Sequence, residues 1–327
     1  MKVLYVGDPH VTVPNLDESD RLMDFLVDTI LVQKPDMVVL LGDLMHNFAI
    51  VRTEVLDFWK EWLDTLSEAQ KLVVLVGNHD LANSGNDKYK SNSLSVFQLM
   101  RKKNLSIVEH AQVHGPIGFV PYMHDQEQFL EIANGLKAHG AKILVIHQDI
   151  NGSQYENGFY APNGIDPEKL DYPLVIGGHI HKRQRFGKVI LPGTARWMIS
   201  SDANEPKGLW LVNHDDETGL ITSEEFIDTS SVCQPIISLT FLEGEATPVI
   251  PENARVTLEL IGSSSWIAQQ KVLFKNKVMF KTKITDKAKV LNRQAGNSFG
   301  DYLLNVYIPK TAHGEALLKM AKEIGIV

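Results

Sequence analysis

The chain has 327 residues, of which 44% are hydrophobic, so it is long enough to bury a large core and to form two domains of unequal size. Its formal net charge of −8 argues against a protein that coats nucleic acid non-specifically. The longest apolar runs, such as MVVLLG, are far shorter than the ~20 residues of a membrane span, so no transmembrane helix is expected.

The first residues, MKVLYVGDPH, enter a strand directly, without a charged leader or the hydrophobic core of a signal peptide. We therefore expect a cytoplasmic protein. Cys233 is the only cysteine, which excludes an intramolecular disulfide and thiolate zinc sites. Any metal has to be held by oxygen and nitrogen ligands.

Apolar strand-like runs then alternate with helix-period segments through the first two thirds, a pattern typical of an α/β domain. A helix is predicted before Pro35, because five side chains follow the spacing of one helix face: Leu22, Phe25, Leu26, Thr29 and Ile30. A second helix, near residues 53–66, has an unusually wide apolar arc that includes Trp59 and Trp62. That arc indicates either deep packing or a dimer contact.

Beyond residue 165 the runs become shorter and more strand-like, and the character of the sequence changes again between Ser231 and Pro235. We place a boundary there, which predicts domains at residues 1–232 and 233–327. The second domain is predicted as a small α+β module, with strands at IISLTFL, RVTLEL, VMFKTKI and YLLNVYI. Its helices are expected near Ser264 and after Thr311.

Five apolar runs end in carboxylate, carboxamide or imidazole side chains: VGDPH, LLGDLMH, LVGNHD, VIHQD and IGGHIH. In open α/β sheets, ligands gather beyond the C-terminal ends of the strands. A lone histidine at a strand end is usually a hydrogen-bonded core residue, but the ordered set favours a metal site. Aspartate and histidine with an asparagine carbonyl suit manganese, iron or zinc. The candidate ligands are Asp8, His10, Asp43, Asn78, His147, His179 and His181.

Seven ligands exceed the three or four protein groups that one catalytic metal normally receives, which favours a two-metal centre with one shared carboxylate. Asp43 is the natural bridge. Two adjacent cations can hold a phosphate and stabilise the attacking and leaving oxygens. The predicted reaction class is therefore hydrolysis of a phosphate ester.

These motifs, in this order, resemble those of calcineurin-like metallophosphoesterases over residues 1 to about 215. The resemblance implies a two-sheet β sandwich flanked by helices, followed by a small capping domain. It leaves His79 unliganded beside the scissile phosphate. It also implies two metal sites that share Asp43: one formed by Asp8, His10 and His181, the other by Asn78, His147 and His179.

Within that family, GDLMHNF and GNHD differ from the GDxVDRG and GNHE of protein phosphatases. The chain more closely resembles the SbcD and meiotic-recombination-eleven nucleases and their compact phage counterparts, in which His46 would be a second phosphate-facing histidine. The resemblance implies a nuclease with two Mn²⁺ ions, or Mg²⁺ in their place. Its expected activities are 3′–5′ double-strand exonuclease and single-strand endonuclease, used in DNA end processing and recombination repair. Its expected partners are a second copy of the chain and a coiled-coil ABC-type ATPase.

The charge is unevenly distributed, because residues 271–289 form a lysine-rich stretch in a chain that is acidic as a whole. We predict that it contacts the DNA backbone, with a merely solvated surface as the alternative. Its candidate residues are Lys275, Lys277, Lys281 and Lys283. Two other functions stay open: a phosphomonoesterase or cyclic-nucleotide phosphodiesterase with the same metals, and a scaffold without catalysis.

Overall fold

The computed structural model describes residues 1–48, 50–82 and 91–285. Among these residues, no helix combines the length and the apolar character needed to cross a membrane. The helices are α1 (Leu16–Gln33), α2 (Thr53–Ala69), α3 (Gln126–Gly135) and α4 (Ser264–Leu273). The strands are β1 (Lys2–Val6), β2 (Met37–Leu40), β3 (Leu72–Leu75), β4 (Leu105–Val108), β5 (Gln112–His114), β6 (Ile117–Val120), β7 (Ile143–His147), β8 (Leu174–Gly178), β9 (Gln184–Phe186), β10 (Val189–Leu191), β11 (Gly208–His214), β12 (Ile221–Asp228), β13 (Ile236–Leu242), β14 (Arg255–Gly262) and β15 (Met279–Ile284).

Two mixed sheets of six strands form the body of the protein, and a third sheet has three strands. The first sheet has the order β12-β11-β1-β2-β3-β4, in which β1 to β4 run parallel and β11 returns antiparallel beside β1. The second has the order β5-β6-β7-β8-β10-β9, in which β6, β7, β8 and β10 are parallel. The predicted fold, a two-sheet sandwich flanked by helices, is confirmed.

The central strands of the two six-stranded sheets, such as β2, β3, β7 and β8, are buried and almost wholly apolar because both of their faces are covered. Side chains alternate along β1: Val3 and Tyr5 belong to the core that also contains Phe119 of β6. Leu4 and Val6 belong to the core that contains residues of α1 and α2. A third core lies between the second sheet and α3. This alternation of period two fixes which residues of each strand can reach a helix.

The two flanking helices agree with the predictions from the sequence. Helix α1 ends at Gln33, where Lys34 adopts a left-handed conformation with φ 47° ahead of Pro35. On α2, the Trp59 ring is fully buried and its indole N–H donates to the Leu44 carbonyl at 3.1 Å. Trp62 is half-buried and donates to Asp20. Core packing thus explains the wide apolar arc, and a dimer contact through it stays a prediction.

The chain divides into two compact units. The first comprises Met1–Leu239 with Val249–Thr257, and the second Thr240–Pro248 with Leu258–Val327. In the second unit, the Phe241 ring packs edge-to-face against Trp266 and Phe274. The predicted strands of the small module, from IISLTFL to VMFKTKI, form as β13 to β15, and the helix near Ser264 forms as α4. The YLLNVYI strand and the last helix lie outside the described residues, and the division at residue 232 stays a prediction.

Candidate metal centre

The seven candidate ligands lie at the C-terminal ends of five strands, three in the first sheet and two in the second. Strands β1, β2 and β3 are neighbours in the first sheet, and β7 and β8 are neighbours in the second. Because these strands are parallel, their C-terminal ends meet at one edge of the sandwich. The structure brings all seven side chains together at that edge: Asp8, His10, Asp43, Asn78, His147, His179 and His181.

A first donor cluster is formed by Asp8, His10 and His181, whose ligand atoms all lie within 4.8 Å of one another. The Nε2 atoms of His10 and His181 face each other at 3.0 Å. Asp8 accepts the His179 backbone N–H through Oδ2 at 2.7 Å. Its Oδ1 is buried and has no hydrogen-bond partner among the described residues. Such an orphaned carboxylate oxygen between imidazoles is suited to a cation.

A second donor cluster is formed by Asp43, His147 and His179, also within 4.8 Å of one another. The Asn78 side-chain oxygen lies 3.0 Å from His147 Nε2 and 2.8 Å from His179 Nδ1. Asp43 Oδ2 lies 3.3 Å from His147 Nε2 and 3.5 Å from His10 Nε2. This oxygen therefore stands between the two clusters.

Strained backbone and glycines shape the ends of these strands. His10, Asp43 and His179 have positive φ angles of 44°, 50° and 81°, in a region that non-glycine residues rarely adopt. Two glycines that directly precede candidate ligands, Gly77 and Gly178, leave no room for a side chain. A Cβ on Gly77 would overlap the Asp43 carboxylate, and one on Gly178 would come within 2.5 Å of the Leu41 carbonyl oxygen. In the GD, GNHD and GGHIH motifs, the glycine thus allows the end of a neighbouring strand to approach closely, and the polar residues that follow provide the donors.

Burial and mutual charge set the protonation of the donors. Burial alone would raise the pKa of Asp43, but the adjacent His147 holds it well below its usual range. Burial likewise opposes the charged form of His147, yet the Asp43 carboxylate raises the pKa of that imidazole to about 10. Burial raises the pKa of Asp8 and lowers that of His10 well below 6.5. Asp43 and His147 thus favour each other's charged form, and a cation bound between them would replace the imidazole proton, because histidine binds metal in its neutral form.

His79 and His46 lie beside the first cluster. The His79 ring is 4.8 Å from the His10 ring, centroid to centroid, and the His46 ring is 5.3 Å from it. His79 Nδ1 lies 2.6 Å from the His46 carbonyl oxygen. Its backbone N–H donates to Asp43 Oδ1 at 2.8 Å. Phe48, which the sequence analysis did not single out, stacks on the His79 ring at 4.2 Å.

Other residues that the sequence analysis missed brace the site. Asp80, the last letter of GNHD, accepts the backbone N–H groups of Met45 and Gly77 and so ties two ligand loops together. Burial raises its pKa to about 8. The buried Arg196 donates to the carbonyl oxygens of Pro9 and His10, each at 3.0 Å. Only the position of Asp80 inside a motif was a signal in the sequence.

The four candidate DNA-contacting lysines are exposed in the second unit. Lys281 and Lys283 lie on one face of β15, and Lys275 and Lys277 lie in the connection that precedes it.

The donor set of both clusters fits a pair of divalent cations. Carboxylate, imidazole and carboxamide atoms converge there, and the buried Asp8 Oδ1 of the first cluster has no hydrogen-bond partner among the described residues. A family model for calcineurin-like phosphoesterases matches residues 1–183, more than half of the chain. The chain belongs to the calcineurin-like phosphoesterase family. The resemblance indicated by the motifs is thereby confirmed, and metal binding is a property of this family.

Relatives of this phosphoesterase are named as a phosphoesterase, an exonuclease subunit and a DNA double-strand break repair protein. It is 27% identical over 228 residues to the 244L protein of Invertebrate iridescent virus 6, covering 67% of this chain and 78% of that protein. It is 27% identical over 231 residues to exonuclease subunit 1 of Enterobacteria phage T4, covering 66% of each. The DNA double-strand break repair protein Mre11 of Nanoarchaeum equitans is 23% identical over 241 residues, covering 64% of each.

The chain thus spans about two thirds of the length of the phage and archaeal relatives. Among solved structures, that of TT1561 from Thermus thermophilus aligns with 69% of this phosphoesterase and 98% of TT1561. The two are 14% identical, with a TM-score of 0.40.

Proposed function

We propose that this phosphoesterase is a manganese-dependent DNA nuclease, a 3′–5′ double-strand exonuclease and single-strand endonuclease that processes DNA ends. The observation that carries the proposal is the pair of donor clusters joined by Asp43, with His79 and His46 beside them. Relatives named as an exonuclease subunit and as a double-strand break repair protein favour DNA over other phosphate esters.

The seven donors would hold two Mn²⁺ ions, or Mg²⁺ in their place. Asp8, His10 and His181 would bind one ion; Asn78, His147 and His179 would bind the other; Asp43 would bridge them. When bound, such a pair of cations provides a nucleophile near neutral pH and neutralises charge on the phosphate oxygens. The protein's own contribution is to hold the donors in place through the strained strand ends and the buried Arg196.

His79 would protonate the departing 3′-oxygen. Its Nδ1–H can donate to the His46 carbonyl oxygen at 2.6 Å, so Nε2 is the nitrogen from which a proton would be delivered. Histidine suits this task because its charge changes near neutral pH. The exposed His46 would orient the phosphate. Stacking of Phe48 on the His79 ring restricts its rotation, which favours a fixed direction of proton transfer.

The wider assembly belongs to the same proposal. Exposed Lys275, Lys277, Lys281 and Lys283 would contact the DNA backbone. The protein would act in the cytoplasm as a homodimer, together with a coiled-coil ABC-type ATPase that supplies the ATP chemistry in recombination repair.

The test is cleavage of end-labelled linear duplex and hairpin DNA by purified protein with Mn²⁺ or Mg²⁺, with and without the ATPase. We expect Mn²⁺-dependent shortening of the duplex and opening of the hairpin. Equal or faster turnover of a small phosphodiester or phosphomonoester would favour the alternative enzyme classes. Two bound metals without turnover of any of these substrates would favour a scaffold.

A further inference from the structure

The segment that follows β7 places two carboxylates against the two histidines of the GGHIH motif. Asp149 lies two residues after His147, and Glu156 lies seven residues further along the chain. One carboxylate contacts His179 and the other contacts His181. Neither Asp149 nor Glu156 belongs to the two donor clusters.

His179 lies between the second donor cluster and Asp149. Its Nδ1 is 2.8 Å from the Asn78 side-chain oxygen, on the cluster side of the ring. Its Nε2, on the opposite side, is 3.3 Å from Asp149 Oδ2. The Tyr155 hydroxyl donates to Asp149 Oδ1 at 2.5 Å. The carboxylate is therefore itself held by a second side chain, which fixes the direction it presents to the imidazole.

His181 likewise lies between a donor cluster and a carboxylate, but it turns Nε2 toward the cluster and Nδ1 toward the carboxylate. Its Nε2 faces His10 Nε2 at 3.0 Å, inside the first donor cluster. Its Nδ1 lies 2.9 Å from Glu156 Oε1. Both side chains are largely buried, with 19% of His181 and 14% of Glu156 exposed. The two histidines therefore turn opposite nitrogens toward the metal centre, Nδ1 in His179 and Nε2 in His181.

The segment that carries the two carboxylates, residues 149–156, is hydrogen-bonded to residues that directly follow the GGHIH motif. The Gln154 backbone N–H donates to the Gln184 side chain at 2.8 Å, and the Gln184 amide donates back to the Gln154 carbonyl at 2.8 Å. Lys182 Nζ donates to the Gln154 side chain at 2.8 Å. Near the start of this segment, Ile150 forms an isolated parallel β-bridge with Ile165. These contacts keep Asp149 and Glu156 in register with the histidines.

We infer that Asp149 and Glu156 are positioning residues that fix the tautomer and the ring orientation of His179 and His181, one carboxylate for each cation. This inference rests on the proposed two-metal centre. A metal-bound histidine commonly donates its other ring N–H to a carboxylate, which increases its basicity as a ligand, and loss of that partner costs about 10- to 100-fold in metal affinity. Asp149 serves the ion at Asn78, His147 and His179, and Glu156 serves the other.

The inference is tested by Mn²⁺ binding to the full chain without DNA, using calorimetry and electron paramagnetic resonance. The variants are Asp149→Asn, Glu156→Gln and their combination. The matched control is Glu168→Gln, an exposed carboxylate further along the same connection. We expect the wild type and the control to bind two ions with a spin-coupled signal. Each single variant should keep one ion at wild-type affinity, bind the other about 10- to 100-fold more weakly, and lose the spin coupling.

The double variant should weaken both ions, and saturating Mn²⁺ should restore the turnover of each single variant. The thermal stability of each variant is measured as well. If it is unchanged and added Mn²⁺ restores turnover, the residue has a positioning role, because added metal would not reverse a folding defect. If Asp149→Asn does not fold, Tyr155→Phe removes only the hydroxyl that orients Asp149 and should weaken the same ion. Unchanged affinities for both ions in the Asp149 and Glu156 variants, or equal weakening of both ions by each, would overturn the inference. A wild type that binds two ions but leaves DNA intact would instead refute the nuclease proposal.

Discussion

At the scale of single residues, Asp43 links the proposed metal ligands to the proposed general acid. Its Oδ2 lies between His10 and His147, and its Oδ1 accepts the His79 backbone N–H at 2.8 Å. Movement of this carboxylate would therefore displace His79 together with the cations of the proposed centre. The His79 ring, in contrast, makes its hydrogen bond to the His46 carbonyl, outside both donor clusters. The ring can thus be removed without removing a ligand.

Replacement of His79 by alanine should reduce cleavage about 10²- to 10⁴-fold, the range typical for the loss of a general acid. Mn²⁺ stoichiometry should stay at two, because the variant keeps the backbone N–H that Asp43 accepts. Cleavage rates and metal content would be measured on the same preparation. The exposed His139 provides the matched control, and His139→Ala should change neither quantity. Parallel loss of metal and activity in His79→Ala would contradict this division of roles.

At the scale of secondary-structure elements, the strand ends determine the site more than the strands do. Three of the five parallel strands deliver a donor through a residue of unusual backbone: His10 with φ 44°, Asp43 with φ 50° and His179 with φ 81°. Such conformations cost of order 1–3 kcal/mol each and persist only when surrounding contacts impose them. The hydrogen bonds of Asp80 and Arg196 to neighbouring loops are contacts of this kind.

Gly77→Ala should disrupt the metal centre without a change at any ligand. Its new Cβ would overlap the Asp43 carboxylate and lie 2.5 Å from the Asp43 backbone nitrogen, so the two ligand loops have to separate. We expect weaker Mn²⁺ binding at both positions, measured by calorimetry. Gly135→Ala is the control, because a Cβ at that helix end meets nothing within 4 Å. Wild-type affinity in Gly77→Ala would show that the loops tolerate the displacement.

The pairing of β1 with β11 contains a buried group that makes stability depend on pH. The Tyr5 hydroxyl lies 2.9 Å from His214 Nε2. Burial, followed by the nearby N-terminal ammonium, lowers the pKa of His214 to about 4. The unfolded chain, with a histidine pKa near 6.5, takes up this proton first as the pH falls. This group therefore stabilises the fold above pH 6.5, and that contribution is lost between pH 6.5 and 4.

His214→Gln should remove this acid sensitivity. Between pH 7 and pH 4.5 the wild type should lose about 2 to 3 kcal/mol more of its free energy of unfolding than the variant does. Urea denaturation at the two pH values measures the difference. His139→Gln, at an exposed histidine, should lose as much as the wild type. An equal loss in wild type and His214→Gln would show that another group titrates.

At the scale of the whole molecule, the sequence predicts the strands and the donors but not how the strands are ordered. Runs such as MVVLL are recognisable because both faces of the sheets are buried. The return of β11 beside β1 joins residues more than 200 positions apart, and no local pattern encodes that pairing. The convergence of the candidate donors was predictable because they lie at the ends of buried strands. Asp149 and Glu156 were not, because their contacts depend on the path of a loop.

The net charge of −8 repels the DNA backbone, so DNA binding has to depend on local patches of positive charge. Replacing the four exposed lysines of the second unit by serine should reduce the salt dependence of DNA binding. Each lost phosphate contact lowers the slope of log K against log salt by about 0.9. The changed residues are Lys275, Lys277, Lys281 and Lys283.

The matched control for the lysine variant removes the same number of charges from exposed lysines of the first unit. Its changed residues are Lys34, Lys60, Lys103 and Lys169. Binding of a short duplex would be followed by fluorescence anisotropy from 50 to 200 mM salt. Because both variants change the net charge equally, a smaller slope in the first alone assigns the contact to the second unit. Equal slopes in the two variants and the wild type would make these lysines a solvated surface that DNA does not touch.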